Sequence, residues 1–142
     1  MNWPQTFERR LISWAQLRDS VRHQPVDDTL DAINRWWFLT PWTPYYLHWD
    51  DVKDWPDPWQ LVNENIFCDV ARGLGILYTI AMLERPDITD FCLITDGNHN
   101  LVLDLGEKYI LNFQDDSIVN NNFKELKVRN RITQQQVRSK LM

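Results

Sequence analysis

Glycine is scarce in this chain, with four residues in 142, and none is grouped into a loop that could cradle phosphate. Cysteine is scarcer, with only Cys68 and Cys92. Met1-Asn2-Trp3-Pro4 does not open a basic-then-apolar leader. Export by a signal peptide is therefore not expected, and both thiols are expected to be reduced. No apolar run is clean enough to span a membrane. The longest, Ile66 to Leu83, is broken by Asp69 and Arg72 and stops at Glu84-Arg85, so it reads as a buried helix. Three histidines are present, and His48 has no partner at a metal-ligand spacing; no metal or other cofactor is expected. Low-complexity stretches and repeats are missing too, which excludes disordered and solenoid classes.

What is present is unevenly placed. All eight tryptophans lie in the first 59 residues. The net charge of −5 conceals a basic end: residues 124–142 hold six basic residues and one acid, and the rest of the chain holds 9 basic and 19 acidic residues. A solvated terminal helix accounts for this, and such a tail also suits an acidic protein partner. Nucleic acid is disfavoured, because no aromatic residue beyond Phe123 interleaves with these charges. One domain over 1–142 is expected at this length, with a tryptophan-rich half (1–54), a core (55–115) and a basic tail (116–142).

The spacing of Phe7, Leu11, Trp14, Leu17 and Val21 predicts a helix over 5–22, and Asp27 or Asp28 can cap a second helix carrying Leu30, Ile33, Trp36 and Trp37. Prolines 41 and 44 make the next stretch an extended loop. Asp57-Pro58 starts a short helix over 58–63. Asn65 can cap a main helix over 66–84, almost wholly apolar from Leu74 onward. Strands follow over 88–95, 99–105 and 108–114, the last two as a hairpin turning at Gly106-Glu107; a weakly amphipathic helix over 128–141 ends the chain. The expected class is α+β, with N-terminal helices and a long buried helix packed on a small antiparallel sheet.

With Asn65 as cap, Cys68 falls in the first turn of the main helix, where unpaired N–H groups and the helix dipole favour a thiolate. His99 opens the first hairpin strand. A two-residue turn makes paired numbers sum to 213, so Asn112 faces Leu101 and sits diagonally beside His99. A cysteine nucleophile, a histidine base and an orienting amide form a workable hydrolytic set. Each residue also has a plain structural role: a buried cysteine as core, a histidine as turn residue.

This order resembles the transglutaminase-like and papain-type cysteine hydrolases. Cys68-Asp69-Val70-Ala71 is similar to their cysteine motif. His99-Asn100-Leu101-Val102-Leu103 followed by Lys108-Tyr109-Ile110-Leu111-Asn112 resembles the bacterial transglutaminase-like cysteine proteinases. The run Trp55-Pro56-Asp57-Pro58-Trp59-Gln60-Leu61 resembles small proteins of large contractile-tailed bacteriophages. The resemblance spans about residues 55–115. It implies that Cys68, His99 and Asn112 are the catalytic residues of a cysteine hydrolase or acyltransferase acting on peptide or amide bonds. The pattern departs from the family at Ile66 and Phe67, where a small glycine usually precedes the cysteine, and at Asn112, where aspartate is usual. Gln60 and Asn63 are the candidate oxyanion donors by chemistry. These departures point instead to a degenerate site, and the phage resemblance implies a virion or assembly component, in the host cytoplasm or the assembled particle. Trp42, Trp49, Trp55 and Trp59, in loops broken by Pro41, Pro44, Pro56 and Pro58, are the expected anchors for other protein chains.

Overall fold

A computed structural model describes residues 2–44, 46–104, 108–113, 119–120 and 127–141. The expected turn at Gly106-Glu107, the strand end at Gln114, and Phe123 and Lys124 of the basic tail lie outside these residues.

Two helices come first, α1 (Phe7–Val21) and α2 (Val26–Trp37). Thr6 caps α1 by accepting the Arg9 N–H at 3.2 Å. Arg10 is buried on the inner face of α1 and donates through Nε to the Val62 carbonyl at 2.9 Å. A 3₁₀ segment, Trp49–Asp54, interrupts the proline-aromatic loop. Helix α3 (Pro58–Glu64) starts in a full capping box, with Asp57 accepting the Gln60 N–H and Gln60 accepting the Asp57 N–H.

The main helix begins later than its apolar pattern suggests. Asn65 adopts φ 60° and is the C-cap of α3, not the N-cap of the next helix. Residues 65–68 stay non-helical; Phe67 forms a bridge with Trp42 and accepts the Thr43 N–H at 2.7 Å. Cys68 becomes the N-cap of α4 (Asp69–Leu83), one step outside the first turn. Asparagine tolerates the left-handed conformation, so a residue read as a start signal serves as a stop signal.

Five strands form one sheet in the order β4-β3-β2-β1-β5. They are β1 (Phe91–Thr95), β2 (Asn100–Asp104), β3 (Tyr109–Leu111), β4 (Val119–Asn120) and β5 (Asn130–Thr133). Val102 faces Leu111 and Leu103 faces Ile110, the register expected from a sum of 213. The first strand starts at Phe91 because Ile88 belongs to a turn closing on Arg85 and Asp90 takes φ 64°. The terminal helix expected over 128–141 is replaced by β5, which pairs with β1, and a short α5 (Gln134–Arg138). Ile132 and Val137 are the buried apolar residues that anchor this pair of elements. Two apolar residues five apart suit a strand-to-helix corner better than one continuous helical stripe.

The fold is therefore α+β, with α4 against one sheet face. Leu93, Val102 and Leu111 share the core of α4 with the tryptophan-rich half, whereas Cys92, Ile94, Leu101, Leu103 and Ile110 cluster on the opposite face. Trp3, Trp14, Trp36, Trp37 and Phe67 meet edge-on, tilted or stacked at centroid distances of 4.8–6.5 Å. Among the described residues no helix is long and apolar enough to cross a membrane.

Candidate functional site

The start of α4 opens on a cleft of about 580 Å³ lined by Cys68, Asp69, His48, Asn98, Asn100 and Arg129 together with flanking loop residues. Cys68 is 4% exposed, and its Sγ accepts the Leu47 N–H at 3.5 Å. That contact draws the proline-aromatic loop over the thiol and sets His48 in the same cleft. Trp49 Nε1 donates to Asn100 Oδ1 at 3.0 Å and packs edge-on against Trp55 at 5.1 Å, which fixes the loop to β2.

Asn112 reaches the same helix end by a backbone inversion. Its φ of 68° turns it off the strand alternation that would set it beside His99. Its Nδ2 donates to the Asp69 and Asn100 carbonyls at 2.8 and 2.7 Å, and its Oδ1 accepts from Arg72 Nε at 2.6 Å. The Asn112 N–H donates to Asn34 Oδ1 at 2.9 Å. Each polar atom of this buried side chain is engaged in joining α4 to β2 and β3. Arg72 also pairs with Asp69 at 3.1 Å and lies 3.8 Å over the Phe38 ring. Burial lowers the Arg72 pKa, an effect partly opposed by Asp69 and Cys68.

His99 goes elsewhere. It ends the turn that begins at Asp96, and two residues later Leu101 points to the sheet face away from α4. The imidazole Nδ1 lies 3.2 Å from Asp96 Oδ2, the side chain is 43% exposed, and the ring meets Phe113 at 6.3 Å. The His99 N–H is foremost among the donors that hold the Asp96 carboxyl down at about 2, with the Asn98 N–H adding to it. His99 does not line the cleft that contains Cys68. The three residues singled out from the sequence thus divide: Cys68 and Asn112 gather at the start of α4, and His99 is held by the turn beside them.

Of the expected anchors, Trp42 is 61% and Trp59 42% exposed, Trp49 is half-buried, and Trp55 is buried with its Nε1 donating to the His48 carbonyl at 2.8 Å. Gln60 is engaged in its capping box. Asp50, Asp51, Asp54 and Asp57, close together in sequence, form no group of three metal-ligating side chains among the described residues. Sequence reasoning missed His48, Asn100 and Arg72 as cleft or support residues. A single arginine interrupting an apolar helix was the available signal, since a buried cation requires partners.

No family model matches the sequence, and no curated protein or solved structure matches it either.

Proposed function

We propose that this chain is a bacteriophage virion or assembly component that uses a transglutaminase-like arrangement as a protein-interaction module, with a degenerate catalytic site. The observation that carries the interaction reading is the gathering of exposed apolar side chains around the start of α4. Trp42 donates to Asp69 there at 3.3 Å, Ile66 lies two residues before Cys68, and Phe113 follows Asn112, which bonds Asp69. All three are at least 40% exposed. Rings and branched side chains of this kind anchor interfaces. The engagement of Asn112 by Arg72 and of His99 by Asp96 supports the degenerate-site part. The phage part rests on the resemblance of residues 55–61.

Sedimentation of the full chain is expected to show concentration-dependent association that weakens in W42S/I66S, with W59S testing the neighbouring α3 surface. A wild-type chain that stays strictly monomeric would contradict the module.

A second reading, a cysteine hydrolase, is favoured by the shared cleft of Cys68 and His48. In it the Cys68 sulfur attacks an amide carbonyl while His48 takes the thiol proton and passes it to the leaving amine; water then cleaves the thioester. Thiol labelling separates the two. The module is expected to react slowly at Cys68 and Cys92 alike, since both are buried. Fast alkylation of Cys68 at neutral pH, abolished by H48N, would establish the hydrolase instead.

A further inference from the structure

The carboxyl end of the chain carries a second cleft, where the start of β1 and the end of β5 meet α5. It encloses about 560 Å³ and is lined by Asp90, Cys92, Arg131, Gln135 and Arg138, among others. Arg131 projects from β5 opposite Ile94, and Arg138 ends α5. Both are exposed. Arg9 apart, the arginines before β1 reach acceptors within the chain: Arg10 and Arg18 bond carbonyls, Arg22, Arg35 and Arg85 pair with carboxylates, and Arg72 holds Asn112. The Arg131 and Arg138 side chains make no hydrogen bond or ion pair among the described residues, although the chain has five more acids than bases. Residues 127–141 contain five basic residues and no acid.

We infer that this cleft binds a short acidic segment of a partner protein, with the Arg131 and Arg138 guanidinium groups receiving its carboxylates. The planar fork of a guanidinium matches a carboxylate in two parallel N–H···O bonds. The Gln135 amide can serve both polar groups of a peptide backbone. Asp90 at the cleft sets the limit: one or two carboxylates on a neutral segment fit, whereas a continuous phosphate backbone meets like charge there and across the acidic body. The inference deepens the interaction reading by giving the chemistry of a partner, and rests on it, but it uses a surface separate from Trp42 and Ile66.

The test is a titration of the full ¹⁵N-labelled chain at low salt. The probes are acetyl-Gly-Glu-Glu-Gly-amide, its Gln-Gln twin, inorganic phosphate and a short single-stranded oligonucleotide. Shifts are expected at Arg131, Gln135 and Arg138 with the acidic peptide and not with the twin. In R131Q/R138Q the apparent affinity should fall about tenfold or more, with resonance dispersion kept because both residues are exposed. Absence of shifts, equal shifts with phosphate, tighter binding of the oligonucleotide, or shifts centred on Lys127 and Arg129 would each overturn the assignment. Self-association of R131Q/R138Q in the sedimentation assay reports the Trp42 surface independently, so failure of one site is distinguishable from failure of the other.

Discussion

Gly75→Ala is expected to unfold the domain or lower its stability by about 3 kcal/mol or more, the upper part of the range for overpacked cores. A Cβ at this position would stand 2.4–2.6 Å from three ring carbons of Trp37. No real carbon pair approaches so closely, so either α4 or the indole must move. Trp37 cannot yield cheaply. It is fully buried, its Nε1 donates to Thr79 at 2.9 Å, and Trp3, Trp14, Trp36 and Phe67 surround its ring. Alanine would otherwise favour the helix by about 1 kcal/mol, which is too little to offset the overlap. Thermal unfolding checks this: a melting temperature within a degree of wild type would mean that α2 and α4 are less tightly opposed than described. Gly73 is a milder case. Its added carbon would meet the end of Leu93 at 2.6 Å and the Asn112 amide at 3.0 Å, so Gly73→Ala is expected to disturb the support of the cleft more than the global fold.

The two glycines show what was legible in the sequence and what was not. Two glycines inside a helix that reads as buried imply close packing, and the partners are Trp37 for Gly75 and, for Gly73, the sheet. Hairpin register was legible because side-chain alternation and the spacing of Leu101 to Leu111 leave one pairing that keeps the apolar faces consistent. Asn112 was not, because one left-handed residue reverses the face assignment and asparagine gives no advance notice of which conformation it will take. The same ambiguity governs Asn65, which could start one helix or stop another. Its indole partner, Trp3, donating to Asn65 Oδ1 at 2.6 Å, lies 62 residues away in sequence and exists only once the chain has folded. The C-terminal strand was hidden for a related reason: β5 is a strand by virtue of β1, and a four-residue segment such as Asn130–Thr133 carries too few apolar positions to declare a period.

Thr79 is the position where one atom has the widest consequence, and Thr79→Val is expected to cost about 2–5 kcal/mol. Its hydroxyl oxygen accepts from Trp14 Nε1 and from Trp37 Nε1, each at 2.9 Å, and donates to the Gly75 carbonyl at 2.8 Å. The oxygen thereby uses two lone pairs and one proton, the full capacity of a hydroxyl. Valine keeps the branched shape and nearly the volume, so packing is preserved and only the hydrogen bonds are lost. Two indole N–H groups would then be left in a dry core without an acceptor, at about 1–3 kcal/mol for each. The Gly75 carbonyl suffers less, because the helix already supplies it with a backbone donor. Thr79→Ser isolates the two contributions: it keeps the oxygen and removes one methyl group, so a loss of only about 1 kcal/mol is expected from the lost burial. The two variants, compared by denaturant unfolding, therefore rank Val well below Ser. The reverse order would mean that α1, α2 and α4 are joined by the volume of this side chain and not by its oxygen.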